Sequence, residues 1–404
     1  MRNIIFYFTF FFYIFPISFI FLPFSTHVLM GIIGFMVCAL GVNKLWSFVR
    51  NTRKIWKGLI LISLTSLLSI VLNPLHDDKF LTYFFPVIVE ALAVVFLSVL
   101  AKRLKINLSF IYLCKCIVLV NTVQISIALV MFFSPVVYDF LFSVQKESSY
   151  SLETIEGNLD LRLLGFGSLF FYSGIINSVS LLCNAVLIGH EKSRLLRLLL
   201  VIVHVSIFLI GSVMSRTTYV GMGLSILILL KNRGSKSQLL FYFIASFIAL
   251  VVATMVMVPA DYLQGFFDYG FEILSNYLSG YGAESKSTNQ LQEIYVFPES
   301  INTWLFGDAL WTDPRNKDLY YMHTDVGYLR MIFYSGLCGL TTYFTFVYAQ
   351  IKEIHKHYGR DTNWFCLALG LLVVVLMFKG FTDITNILML FIVSTYYNQR
   401  ICIK

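Results

Sequence analysis

The chain reads as an all-α polytopic membrane protein, and three observations make it so. Of its 404 residues, 58% are hydrophobic and only 13% charged, where an ordinary soluble domain carries about 25% charged residues. Apolar stretches near the ~20-residue length that crosses a bilayer recur about a dozen times. Between them the charge alternates, with cations gathered in one set of loops and carboxylates in the other. The net charge of +8 is therefore the sum of two unlike surfaces and carries no nucleic-acid signal.

The spans fall near 4–24, 27–42, 58–73, 82–100, 108–133, 163–188, 195–213, 217–230, 239–258, 327–349, 363–378 and 384–397. The first follows Arg2 and resembles a leader, but its apolar run is too long for an ordinary signal peptide and no small-residue cleavage site follows it. It reads as the first anchor. Residues 1–258 then hold nine spans and a smaller external loop at 134–162. Residues 259–326 form one large external loop, and 327–404 hold three more spans and a tail.

Direction follows from the positive-inside rule. With the amino end inside, the internal loops carry Lys44, Arg50, Arg53, Lys54 and Lys57, then the groups at 102–105, 192–197, 231–236 and 352–360. Together with Arg2, Arg400 and Lys404 this is 20 of the 30 Lys and Arg residues, against 3 of the 22 carboxylates. Both termini are accordingly expected in the cytoplasm. The seven cysteines lie in spans or in the tail, so no external disulfide framework is implied.

Ionisable residues inside spans are candidates for function. Glu90 and Lys115 are the two, and they read either as an ion pair between neighbouring spans or as a snorkelling lysine beside a separate carboxylate.

Four external cations stand where a helix meets the outer interface: Arg162, Arg216, Arg330 and Lys379. Arginine offers a planar fork of donors that stays charged and grips two phosphate oxygens at once. Arg216 lies in a tight turn before a span of only about 14 residues, roughly 21 Å at 1.5 Å per residue, so that turn is expected to be recessed below the interface. A charge there needs water or a partner. Arg162, Arg216 and Arg330 are thus candidate binders of a phosphorylated headgroup; each alone also reads as an interfacial anchor.

The large loop ends in His323, Thr324, Asp325, Val326, Gly327, Tyr328, Leu329 and Arg330. Histidine is the side chain that exchanges protons near neutral pH, and a carboxylate two residues away either orients it or acts as base itself. His323 and Asp325 are the candidate catalytic pair. Earlier in the loop Tyr262, Leu263, Phe266, Phe267, Phe271, Leu274 and Leu278 recur at helical spacing and predict an amphipathic helix on the outer leaflet. Trp304, Trp311, Tyr320, Tyr321 and Tyr328 either stack on sugar faces or pack and anchor the loop. No Walker A loop, H-E-x-x-H, G-x-S-x-G or D-x-D pattern occurs, so neither metal nor cofactor is expected. No internal repeat of the kind carriers often show is visible.

Three stretches now resemble the bacterial O-antigen polymerase family (Wzy type), within the O-antigen polymerase and ligase superfamily. They are Arg162-Leu163-Leu164-Gly165, Gly211 through Thr217, and Leu305 through Asp308 followed by His323 through Gly339. The resemblance extends to the whole span layout. The chain departs from many relatives after the first turn of span six, where Gly167-Ser168-Leu169-Phe170-Phe171 replaces a segment carrying an asparagine.

The resemblance implies a glycosyltransferase-C-like enzyme of the bacterial inner membrane, its large loop in the periplasm. Such an enzyme polymerises undecaprenyl-pyrophosphate-linked oligosaccharide repeats for lipopolysaccharide, moving the growing chain onto a hydroxyl of an incoming lipid-linked repeat. Arg162, Arg216 and Arg330 would meet the pyrophosphates, His323 or Asp325 would be the base, and Trp304, Trp311 and Tyr328 would contact sugar. The implied partners are the donor and acceptor lipids and a chain-length regulator of the inner membrane, with no nucleic acid. The alternatives are an O-antigen ligase, which transfers polymer to the lipid A core, and a lipid-linked oligosaccharide flippase.

Overall fold

The computed structural model describes residues 2–40, 49–50, 52–146, 163–167, 170–231, 240, 243–248, 276, 279, 295–359 and 362–399. Among them every extended regular element is a helix, and extended pairing is limited to two isolated bridges, Phe19 with Gln145 and Thr312 with Tyr320. In chain order the helices are α1 (Arg2–Ile14), α2 (Thr26–Ala39), α3 (Arg53–Leu72), α4 (Phe84–Arg103), α5 (Phe110–Phe133), α6 (Pro135–Ser143) and α7 (Phe170–His190). There follow α8 (Arg194–Met214), α9 (Thr218–Lys231), α10 (Ile301–Phe306), a single 3-10 turn (Tyr321–His323), α11 (Gly327–Tyr358), α12 (Asn363–Leu376) and α13 (Thr385–Gln399).

Five of these, α3, α4, α5, α7 and α8, are long and apolar enough to cross a membrane. The shorter α1, α2, α9, α12 and α13 are apolar too. Helix α3 shows why water is the wrong solvent: Ile60, Leu61, Leu64, Leu67, Leu68 and Val71 all stand exposed along it. A continuous apolar surface of that kind belongs in lipid. The chain is an α-helical, multi-pass membrane protein.

Several boundaries differ from the sequence expectation, each for a local reason. The first span, expected over 4–24, is helical only to Ile14, because Pro16 bars its continuation. The chain then turns back, and Ile17 and Thr26 pair through Thr26 N–H to Ile17 O (2.9 Å) and Ile17 N–H to Thr26 Oγ1 (3.0 Å). The sixth span, expected from 163, becomes helical at Phe170. Before it, Gly167 adopts φ +71° with no room for a Cβ beside Ile17, which glycine alone tolerates. The tenth runs on to Tyr358, nine residues past its expected end. Arg162, the predicted amphipathic helix at Tyr262–Leu278 and most of the ninth span lie outside the described residues, apart from isolated positions.

The chain divides into two compact units. In the first (1–27, 109–285 and 367–372), α7 is the central helix, buried throughout 173–188 against α5, α8 and α9. Small residues make that closeness possible. A Cβ on Gly174 would strike the Thr217 and Ser215 side chains, and one on Gly221 would lie 2.3 Å from Ser178 Cα. Lys115 is exposed on α5.

In the second unit (28–108, 286–366 and 373–404), α11 packs along α3 while α13 packs on α4. Gly58 on α3 admits the Phe346 ring of α11, and Gly34 on α2 admits the backbone of Leu92 on α4. Glu90 buries its Oε2 on α4, within the electrostatic reach of Asp383.

Candidate functional site

The site begins with a break in a helix. Ser335 and Gly336 leave helical geometry inside α11 (Gly336 φ +66°, ψ −170°), which frees carbonyls that an unbroken helix would use. The segment after α10 takes them: Asp308 N–H donates to Phe333 O (2.6 Å) and Ala309 N–H to Tyr334 O (3.0 Å). The Ser69 hydroxyl donates to Tyr334 O as well (2.7 Å). Glycines permit this crossing. A Cβ on Gly336 would lie 2.2 Å from Leu305 backbone, and one on Gly307 (φ +76°) 2.5 Å from that of Tyr334.

The loop between α3 and α4 fixes the same segment from beside it. Asn73 Nδ2 donates to Gly307 O (3.0 Å), and Asp77 N–H donates to Ala309 O (2.9 Å). The Asp77 carboxylate accepts the Trp311 N–H and, at 3.4 Å, that of Thr312. Tyr334 closes the knot, donating its hydroxyl to Asp77 O (3.0 Å) and accepting from Phe80 N–H (3.3 Å).

Trp311 is thereby clamped. Its indole is 6% exposed and meets Phe80, Phe381 and Tyr334 edge to face. Opposite stands Tyr320, held by the Thr312–Tyr320 bridge and by Tyr321 N–H donating to Trp311 O (3.2 Å). Between the two rings lies the guanidinium of Arg330, its Cζ 3.9 Å from the Trp311 centroid and 3.4 Å from that of Tyr320. Cation–π attraction holds such a sandwich, and more strongly where water is excluded; Arg330 is 8% exposed. With both faces covered, the fork presents donors only in its own plane. It also sits in the first turn of α11, where the helix macrodipole is positive.

Of the titratable pair predicted beside Arg330, Asp325 lies within its electrostatic reach, whereas His323 faces Asp313. Asp325 presents its carboxylate at the surface. Burial of its surroundings nevertheless raises its pKa, while the Arg330 charge pulls it down. His323 is exposed, with Nε2 3.9 Å from Asp313 Oδ2, an ion pair only when the ring is protonated. The backbone here is costly: Met322 and His323 both have positive φ (54° and 53°), as does Ala309 (56°). Non-glycine residues in that region store strain, a habit of ligand clamps and active sites.

Other predicted residues fare differently. Tyr328 spends its hydroxyl on Val374 O (2.8 Å) and packs on Phe378, so it builds the helix start. Trp311 serves Arg330, with little surface left for a sugar. Trp304 donates Nε1–H to Pro298 O (2.9 Å) and lies parallel to the exposed Phe297 ring (6.4 Å, 13°). That pair is the aromatic platform still open to a ligand.

Arg216 belongs to the other unit and is 9% exposed in its turn between α8 and α9. Hydroxyls surround that turn. Ser215 Oγ and Thr217 Oγ1 bond at 2.8 Å, Thr218 Oγ1 donates to Gly211 O (2.9 Å), and Ser178 Oγ donates to Thr217 O (3.1 Å).

Sequence reasoning missed Asp77, Asn73 and Tyr334. Each acts on residues more than 230 positions away, a separation that no local pattern announces. Among the described residues no group of His, Cys, Asp and Glu is arranged to hold a metal ion. Compared with protein-family models, curated proteins and solved structures, the chain matches none.

Proposed function

We propose that the chain is a glycosyltransferase using a lipid-linked donor, which polymerises undecaprenyl-pyrophosphate-linked oligosaccharide repeats at the periplasmic face of the inner membrane. The observation that carries this reading is the Arg330 guanidinium pinned between Trp311 and Tyr320, within the electrostatic reach of Asp325. Pyrophosphate is already a good leaving group. Such a reaction therefore asks for fixed positive charge where negative charge develops, a base for the acceptor hydroxyl, and positioning.

The step breaks the bond between the donor's anomeric carbon and its phosphate oxygen and forms one from that carbon to the acceptor hydroxyl oxygen. The hydroxyl proton passes to Asp325 or His323, and the bonding pair leaves with the lipid pyrophosphate. In-plane donors of Arg330 suit the two oxygens of a departing phosphate, and the sandwich keeps them from reorienting as charge builds. Arg162 and Arg216 keep the phosphate-binding role that the family resemblance implies. The Phe297–Trp304 surface offers a sugar face its stacking partner. Twelve spans with both termini cytoplasmic put this loop where the donor lipid is displayed.

Purified protein in liposomes, supplied with the lipid-linked repeat alone, is expected to yield a ladder of polymer and free undecaprenyl pyrophosphate. A single transfer to added lipid A core, with no ladder, would make the protein a ligase instead. Transport without any new glycosidic bond would make it a flippase. In cells, loss of the gene is expected to leave surface lipopolysaccharide capped by single repeats rather than bare core.

A further inference from the structure

Among the described residues, one side chain alone is buried with two polar atoms unpaired. Gln350, in the half of α11 remote from Arg330, is 2% exposed, and neither its Oε1 nor its Nε2 finds a hydrogen-bond partner in the protein. A carboxamide kept that way costs stability, and native interiors rarely keep one. The space beside it shows what completes it. Helices α3 and α11 pack closely where Gly58 admits the Phe346 ring. Next to that contact a small cavity remains, lined by Thr52, Lys54, Phe346, Gln350, Glu353 and Ile392.

Size and charge decide what fits. The cavity offers about 10 Å³ to a water-sized sphere, the space of roughly one water molecule. Two opposite charges stand in its wall: Lys54 donates to Glu353 Oε2, and His357 Nε2 lies 3.1 Å from Oε1 of the same carboxylate. The ammonium disfavours a cation and the carboxylate an anion. The rest of the wall, with Ile55, Phe346, Ala349 and Ile392, is apolar and offers no bond. What remains is a small neutral molecule that both donates and accepts. A primary amide presents an N–H and its C=O side by side along one edge, so a single water can accept from the first and donate to the second.

We propose that this cavity binds one ordered water molecule, held by both ends of the Gln350 carboxamide and by the Lys54–Glu353 ion pair. The water accepts from Gln350 Nε2–H and from a further N–H of Lys54, and it donates to Gln350 Oε1 and to the Glu353 carboxylate. That set lies at the upper end of what a buried water makes. Bonds through such a water are nearly as favourable as direct ones, so it joins α11 to α3 by a polar bridge within an otherwise apolar contact. The site is separate from the glycosyl-transfer reading and stands or falls without it.

The test compares the full chain with Gln350→Met, which keeps the bulk of the side chain and removes both polar atoms. An amide left bare is relieved by that change, and Tm holds or rises. An amide paired through water loses its bonds and leaves the water short of partners, so Tm is expected to fall. The direct observation is a cryo-electron microscopy map of the wild-type chain in nanodiscs, at a resolution that shows ordered water. A single water peak is expected within hydrogen-bond distance of both Gln350 Nε2 and Oε1. The map needs no variant, which keeps the proposal decidable if Gln350→Met fails to fold. A Tm in Gln350→Met at or above the wild-type value, a cavity without a peak, or a Gln350 amide bonded directly to protein at both ends would each overturn the proposal.

Discussion

Two arginines in this molecule are almost equally buried, and their surroundings could hardly differ more. Arg330 is held by rings. Trp311 and Tyr320 cover its two faces, and the rings themselves are fixed by a helix break and by Asp77. Arg216 is held in a turn of hydroxyl residues, where Ser215, Thr217, Thr218 and Ser178 bond to one another and to backbone between close-packed helices. The first environment orients a fork and places one carboxyl, that of Asp325, within its reach. The second gives a charge a polar setting at the end of two spans, with no carboxylate or imidazole in the turn. On the proposed reading, the proton-moving step is expected at the Arg330 region and electrostatic attraction alone at Arg216.

The sharpest way to break this comparison is to exchange both arginines for lysine. Lysine keeps the charge but loses the planar fork and most of the stacking. Arg330→Lys is expected to lower kcat by roughly 100- to 1000-fold, the range for removing one oriented donor at a developing anion. Arg216→Lys, which keeps what its setting uses, is expected to lose about tenfold, mainly in KM. Both are read as polymer formed per unit time by protein at matched membrane levels. Equal losses in the two variants would erase the distinction between an oriented fork and a bare charge.

Protonation offers the next test. A base works in its ionised form, and the Asp325 carboxyl has a raised pKa because of burial, partly offset by Arg330. If Asp325 is the base, the rate rises with pH as that carboxyl ionises and falls away as pH drops through its raised pKa. Asp325→Asn is expected to cost about 100-fold, within the usual contribution of general base catalysis, and to abolish the acid limb. Arg330→Gln removes the charge that lowers the pKa, so the acid limb of its residual activity should move to higher pH. His323→Gln, at an exposed ring 3.9 Å from Asp313, is expected to lose only a few-fold. A larger loss in His323→Gln than in Asp325→Asn would transfer the role of base to the imidazole.

How much of this was visible beforehand follows the same division. Helix and membrane class were legible because apolar runs and loop charges are local features, and the turn that holds Arg216 because it parts two apolar runs. The nearness of Asp325 to Arg330 was legible because a short stretch of sequence holds both, whereas His323 faces Asp313. The aromatic sandwich was not. Trp311 and Tyr320 read equally well as sugar platforms or as packing until a bridge between Thr312 and Tyr320 set them face to face. Nor was the helix break, since Ser335 and Gly336 lie inside an apolar run that breaks only when another segment can take up its freed carbonyls. Pro16, by contrast, was in plain view, and counting apolar residues across it gave a first span that is too long.

Asp77 supplies the last and smallest effect, and it tests whether the Arg330 cradle owes its geometry to the loop beside it. The carboxylate accepts two backbone N–H groups at Trp311 and Thr312 while its own backbone holds Ala309 and Tyr334. Asp77→Asn leaves the backbone contacts intact and replaces a charged acceptor with a neutral one, which weakens such a bond by about 1 kcal/mol. Trp311 should then sit less firmly against Arg330, with a fall of about fivefold to tenfold in kcat, as expected when a group near the reaction is loosened rather than removed. The protein should remain folded, and Trp311 emission should shift to the red as the ring loosens and meets water, measured in a background where the other tryptophans are phenylalanine. A slower enzyme with unchanged Trp311 emission would mean that Asp77 acts by some route other than the ring it holds.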